Sequence, residues 1–345
     1  MTTPDHKTRA HARLSGSRIE RALLCPGSVQ LEQSLPDQPS GDAAALGTAI
    51  HEYADALLSG KPMPVPGFDA ELEKTISDAA NEYVTAIRAH TAGWAKRIMP
   101  ELKVDDGLTS IHPTLGGTAD LVAIGGGRMV VYDLKTGRIA VSPRENPQLM
   151  TYALGALRLL KAPPNIRITL AIYQGELKEW DVGYADLLAW EATLRDLAGN
   201  VWADEPIRTP SSDACQWCRG KAQCPQLAAV ATAIATKAAV SDFDATQPIT
   251  HNALETATLV TAWAEAVQTA AKAQLMKGQP IPGWTLKKGR KMLRIVDDVD
   301  MAEKAMGTPG AWKLETPAAL KKLGIFPDAM FREEFSSPSL QKVRD

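Results

Sequence analysis

The chain has 345 residues, 45% apolar and 23% charged, a composition that suits a folded protein with a buried core and excludes a disordered or fibrous one. With 38 basic and 40 acidic residues its formal net charge is −2, which excludes a uniformly basic nucleic-acid binder and shifts attention to local patches. No apolar run approaches the ~20 residues that span a bilayer, and the polar N-terminus lacks the apolar stretch of a secretory signal, so a cytoplasmic protein without a membrane partner is expected.

Residues 1–14 read as a disordered leader. A short helix follows from Ser15 and ends near Cys25-Pro26-Gly27, where Pro and Gly punctuate it. Asp42 to Leu58 carries one apolar face (Leu46, Ile50, Tyr53, Ala54, Leu57, Leu58) and predicts a helix, as does Asp69 to Ile98. Then the period changes. Glu101 to His112, Gly117 to Ile124 and Arg128 to Leu134 read as consecutive strands, the last two joined by a hairpin at Gly125-Gly126-Gly127. Ser142 to Leu160 is helical, Asn165 to Gln174 and Glu176 to Val182 form a second hairpin, and Tyr184 to Trp202 is helical again. This order predicts an α/β domain over 15–240, with a mixed central sheet flanked by helices. Beyond a linker at 241–248, residues 249–345 read as a mainly helical accessory module. It comprises a long helix (Thr250 to Lys277), a hairpin (Trp284 to Val296) and short helices near Asp300–Ala305 and Thr316–Leu323.

The chemistry concentrates in Asp120 and in Asp133-Leu134-Lys135. Alternate residues of a strand share a face, so Asp133 and Lys135 point one way and Leu134 the other. Pairing Ile124 with Met129 sets Asp120 opposite Asp133; slipping by one residue would turn Asp120 to the wrong face. The favourable register requires a four-residue loop or a bulge in the glycine-rich turn. Two carboxylates on one face repel unless a cation lies between them, and hard oxygen ligands suit Mg²⁺ or Mn²⁺. Lys135 is placed to orient a water or to meet developing negative charge. By itself D-x-K at a strand end is a common surface pattern, a lone histidine such as His51 is more often structural, and Gln148 and Tyr152 merely share a helix face.

Taken together, G-T-A-I-H (47–51), G-G-T-A-D (116–120), D-L-K-T-G (133–137) and Q-L-M-T-Y (148–152) resemble, in order and spacing, the motifs of RecB-type nucleases of the PD-(D/E)xK superfamily. The resemblance implies a restriction-endonuclease-like core. It also implies a Mg²⁺- or Mn²⁺-dependent deoxyribonuclease, exonucleolytic in action. His51, Asp120, Asp133 and the Leu134 backbone carbonyl would be metal ligands and Lys135 the catalytic lysine. Gln148 and Tyr152 would position DNA. Glu101 stands where some members carry an additional acidic residue.

The four cysteines are Cys25, Cys215, Cys218 and Cys224. A cytosolic chain should not rely on disulfides, and the C-x2-C-x5-C run suits a tetrathiolate metal site, with zinc and [4Fe–4S] both open on spacing alone. One cysteine before the core and three after it is similar to iron–sulfur nucleases, among them AddB-type helicase–nuclease subunits and CRISPR-adaptation nucleases, which implies a [4Fe–4S] cluster. The Ser17-to-Arg21 stretch with L-L-C-P-G-S, together with the C-terminal extension, is similar to a nuclease-like family of phages and prophages. That likeness implies a role in DNA recombination or replication, with DNA as partner and a helicase or recombination protein as a candidate second one. Two other readings compete: a non-catalytic DNA-binding or assembly module with the same fold, and a zinc-stabilised interaction protein. Lys287, Lys288, Arg290, Lys291 and Arg294 are candidates to contact DNA phosphates, or else a solvated strand face. Trp284 and Trp312 suit base stacking or core packing.

Overall fold

A computed structural model describes residues 14–35, 41–64, 67–240, 250–288, 291–295, 331–335 and 339–342. Residue contacts divide the chain into one unit of 1–220 with 224–259 and another of 221–223 with 260–345. The larger unit is an α/β domain around a mixed five-stranded sheet of order β2-β4-β5-β6-β7, formed by Arg97–Lys103, Thr118–Gly125, Arg128–Leu134, Arg167–Tyr173 and Leu177–Val182. β5 and β6 run parallel; the other neighbours are antiparallel.

Both faces of the sheet are covered, which is why β5 reads as an unbroken apolar run. On one face Val122, Met129 and Val131 pack with α1 (Gly16–Leu24), α6 (Pro147–Leu159) and α7 (Tyr184–Val201). On the other, Leu121, Ala123, Val130 and Tyr132 pack with α3 (Asp42–Ser59) and α4 (Ala70–Thr91). Every residue from Leu149 to Leu157 of α6 is buried, as befits a helix enclosed by sheet and neighbours.

The helices begin where the local chemistry allows. Asp69 caps α4 by accepting from the Leu72 amide at 2.9 Å, with Glu71 and Glu73 in the first turn. Asn146 caps α6 in the same way, accepting from the Leu149 amide at 3.1 Å, with Pro147 in its first turn. That cap starts the helix at 147 rather than at the expected Ser142. The predicted helix to Ile98 ends instead at Thr91, because Arg97 onward is captured by the edge of the sheet. The expected strand from Glu101 to His112 is β2, which ends at Lys103; a short helix, α5 (Asp105–Leu108), follows it.

The Gly-rich turn is tighter than the sequence suggested. Ile124 pairs with Met129 as required, but Gly125 also pairs with Arg128, leaving a two-residue turn. Gly126 and Gly127 both have positive φ, 53° and 75°, the backbone of a type I′ hairpin, which glycine adopts at no steric cost. Leu14, expected in the leader, is fully buried and pairs in parallel with Leu115.

In the smaller unit the expected hairpin between Trp284 and Val296 does not form. β8 (Trp284–Lys287) pairs with β11 (Ser339–Lys342), and β9 (Lys291–Ile295) pairs with β10 (Phe331–Phe335). Both pairings are antiparallel: Lys287 meets Ser339 and Lys291 meets Phe335. Each strand finds its partner far away in sequence, a non-local pairing that no turn signal near residue 289 announces. The linker at 241–248, the short helices near Asp300–Ala305 and Thr316–Leu323, Trp312 and Arg290 lie outside the described residues. Among the described residues, no helix is long and apolar enough to cross a membrane.

A candidate active site at the ends of the central strands

The site forms where β2, β4 and β5 meet the flanks of α3 and α6. The β4–β5 register, continued one step past Leu121 and Tyr132, sets Asp120 across from Asp133. The β2–β4 register likewise sets Glu101 across from Asp120, between the pairs Pro100–Leu121 and Leu102–Ala119. Glu101 has φ +47°, a left-handed backbone that a side chain with a Cβ seldom adopts, in the middle of a strand. Such strain costs about 1–3 kcal/mol and persists only where the surroundings impose it, commonly at functional sites.

From α3, His51 brings Nδ1 to 3.5 Å from Asp120 Oδ2. Donor atoms of His51, Glu101 and Asp120 all lie within 4.8 Å of one another, the one such group of metal-ligating side chains among the described residues. Burial alone would lower the His51 pKa, but the carboxylates of Asp120, Asp133 and Glu101 outweigh it and raise it. The site therefore attracts positive charge, on an imidazole or on an ion. Histidine nitrogen with two carboxylates suits Mn²⁺ and tolerates Mg²⁺.

Asp133 sits deeper, and its side chain is 3% exposed. Its Oδ1 accepts from Gln148 Nε2 at 2.9 Å. Its Oδ2 is ion-paired with Lys135 Nζ at 2.8 Å. Lys135 in turn donates to Gln148 Oε1 at 3.0 Å, closing a three-membered network. Burial, with Asp120 adding and Lys135 and His51 opposing, pushes the Asp133 carboxyl up to about 6. Leu134 is buried on the opposite face, and its backbone N–H donates to Asp120 Oδ2 at 2.7 Å. Tyr152, one turn beyond Gln148, is buried; burial and the charges of Asp120 and Asp133 raise its pKa. A Cβ at Gly117 would sit 2.9 Å from the Tyr152 ring, and Gly117 has φ +137°, so the G-G-T-A-D motif needs glycine on both counts.

His51, Asp120, Asp133, Lys135, Gln148 and Tyr152, spread over a hundred positions, thus converge. Glu101 joins the donor cluster, whereas Asp133 is turned toward Lys135 and Gln148. The signal for Glu101 was an acidic residue on the strand that pairs with β4, which only the register brings opposite Asp120.

The cysteines lie on other segments of the chain. Cys25 ends α1, Cys215 lies in α8 (Ser212–Gln216), and Cys218 and Cys224 follow it; all four are buried and none is in a disulfide. The seam between these segments is closed by Arg21 donating to the Trp217 carbonyl, the Arg219 amide donating to Glu32 at 2.7 Å and the Thr209 amide meeting Cys25 Sγ at 3.3 Å. Burial pushes the Cys218 thiol up to about 11, with Glu32 and Cys215 adding. No three of the sulfurs approach within 4.8 Å of one another, whereas tetrahedral zinc with Zn–S of about 2.3 Å would need them closer still. Among the described residues the four thiols do not form a single-ion site.

Of the basic cluster, Lys287 and Lys288 are exposed, and Lys291 and Arg294 lie in β9. Trp284 is exposed.

A family model described as "Protein of unknown function (DUF2800)" matches residues 11–324. A solved structure titled "Crystal structure of SSO0001" is similar at 12% identity, covering 58% of this chain and 94% of that one, with a TM-score of 0.25, a likeness too low to carry an argument.

Proposed function

The chain belongs to the DUF2800 family, and we propose that it is a metal-dependent deoxyribonuclease of the PD-(D/E)xK type. The observation that carries this reading is the meeting of His51, Glu101 and Asp120 donor atoms beside the Asp133–Lys135–Gln148 network, on neighbouring strands and the helices that flank them. A Mg²⁺ or Mn²⁺ ion held by His51, Glu101 and Asp120, with Asp133 adjoining, would supply Lewis acidity and lower the pKa of a water.

The chain's own groups divide the remaining work. Lys135 brings an ammonium beside the acidic cluster, where it can orient the attacking water and meet the charge that grows on the phosphate. Gln148 bridges Asp133 and Lys135 and so fixes both side chains. The Leu134 amide holds Asp120 to β5. Tyr152 and Gly117 form a close-packed wall beneath the site.

We further propose a [4Fe–4S] cluster at the cysteine seam, for which the four buried thiols supply the donor count, as they would for a tetrathiolate zinc. Its role would be structural, tying α1 to the segment after α7 and closing a very long loop. We place the protein in the cytoplasm, acting on DNA during phage-type recombination or replication.

The test is hydrolysis of end-labelled linear DNA, single- and double-stranded, with Mg²⁺ or Mn²⁺ and with circular controls. The proposal expects cleavage by the parent and loss of at least about a hundredfold in Lys135→Ala and Asp133→Ala. Binding without cleavage under every divalent metal would support the non-catalytic module instead. Equal digestion by parent and variants would sink the reading.

A further inference from the structure

The segment between Lys135 and Gln148 starts and ends in the candidate site, yet it contributes no metal donor. Its first five residues, Thr136 to Ala140, are exposed. A single side chain holds them in shape. Gln174, just past the end of β6, donates from Nε2 to the carbonyls of Gly137 at 2.6 Å and Ile139 at 2.8 Å, and its Oε1 accepts from the Val141 amide at 3.1 Å. One amide thus satisfies three backbone groups of a loop that forms no secondary structure of its own. Such pinning is unusual for a passive connection, because surface loops can leave these groups to water.

The pinned loop presents an unusual face. Ile139 is 66% exposed, among the most exposed large apolar side chains of the larger unit. Arg138 beside it and Arg144 further along are exposed and pair with no carboxylate among the described residues. A rigid arm with a branched apolar tip and guanidinium groups, at the rim of an acidic site, has the chemistry that meets a nucleic-acid end. The arginines suit phosphates, and the tip can enter between stacked bases.

We infer that the loop 136–144 is a strand-opening arm: Ile139 wedges into the terminal base step of a DNA duplex, Arg138 and Arg144 hold the flanking phosphates, and Gln174 is the positioning residue that keeps the arm rigid. The inference rests on the nuclease reading above and adds a substrate, the end of a duplex that must be frayed before one strand enters the site.

Two measurements separate failure of the arm from failure of the chemistry. The first uses a duplex with 2-aminopurine at its terminal pair, bound to the Lys135→Ala protein with Mg²⁺ so that the strand stays whole. The arm predicts a rise in fluorescence on binding that Ile139→Ser abolishes. The second is the ratio of duplex to single-strand hydrolysis, which Ile139→Ser should lower about tenfold, the scale set by the stacking of one base-pair step. Gln174→Ala and Gln174→Glu should both lower that ratio, since neither carries the two N–H donors; Gln174→Ala should also speed hydrogen exchange at the Val141 amide, which Gln174→Glu, with its acceptor oxygen kept, should leave protected. Unstacking without any hydrolysis would leave the arm standing and overturn the nuclease. An unchanged fluorescence on binding, or a ratio unmoved in Ile139→Ser, would overturn the arm whatever the hydrolysis shows.

Discussion

Asp120 on β4 accepts the backbone N–H of Leu134 on β5 at 2.7 Å, so the carboxylate that faces His51 also ties the two strands at the point where D-L-K begins. The residue therefore has a structural task beside the chemical one proposed for it, and two substitutions should part them. Asp120→Ala leaves a peptide N–H without its partner and should cost about 1–3 kcal/mol of stability, read by denaturant unfolding. Asp120→Asn keeps an acceptor oxygen and should unfold near the parent midpoint while losing metal-dependent activity. Equal destabilisation by both would mean that the bond contributes nothing.

The donor cluster predicts a ligand effect that can be read without DNA. Mn²⁺ or Mg²⁺ should raise Tm, by about 2.7 kcal/mol in stability at a hundred times Kd. Glu101→Ala should remove most of that gain. Glu101→Gly should remove it too, but with a higher metal-free Tm than Glu101→Ala, because glycine relaxes the left-handed backbone at this position. A metal-induced shift of full size in both variants would take Glu101 out of the site.

Asp133 gives the pH dependence. Its folded pKa, about 6, lies above the ordinary value of 3.8, so the folded protein keeps a proton that the unfolded chain has already released. Stability from this group is intact below about pH 4, falls as pH rises toward 6, and stays reduced above it. In EDTA, Asp133→Asn should therefore gain on the parent across that window and level off near neutrality. The gain should be on the order of 1–3 kcal/mol. With a divalent ion the ranking should reverse, since the ion supplies the charge that the carboxylate lacks. A difference independent of pH would refute the assignment.

The cysteine seam predicts an inert apo thiol. Cys218, with its pKa pushed up to about 11, should resist alkylation at pH 8 in native metal-free protein and react on unfolding. Anaerobically purified protein should carry iron and sulfide with visible absorbance. Cys25→Ala should lose that colour and lower Tm. Colourless protein with a single zinc would contradict the cluster.

Much of this was written in the chain. The apolar run of β5 with Asp133 and Lys135 at its end, the alternation that sends Leu134 the other way, and the I′ turn at Gly126-Gly127 are local properties. Strand period and glycine φ preferences dictate them within a few residues. The order of the elements was equally plain, and with it the α/β class.

Other features were decided by partners distant in sequence. Glu101 became a donor because β2 joined the sheet edge and set it opposite Asp120; its own neighbourhood read first as helix and then as a longer strand. Gln174 lies thirty-odd positions from the loop that it pins, and a glutamine after a strand carries no signal of that task. β8 and β9 pair with 331–342 rather than with each other. Local preference sets what a segment can become, whereas the hydrogen-bond partner that satisfies its backbone is chosen among all segments at once. For that reason the sequence revealed the strands and the acidic motif, and only the tertiary structure showed that Glu101 meets His51 and Asp120 and that Gln174 pins the loop beside them.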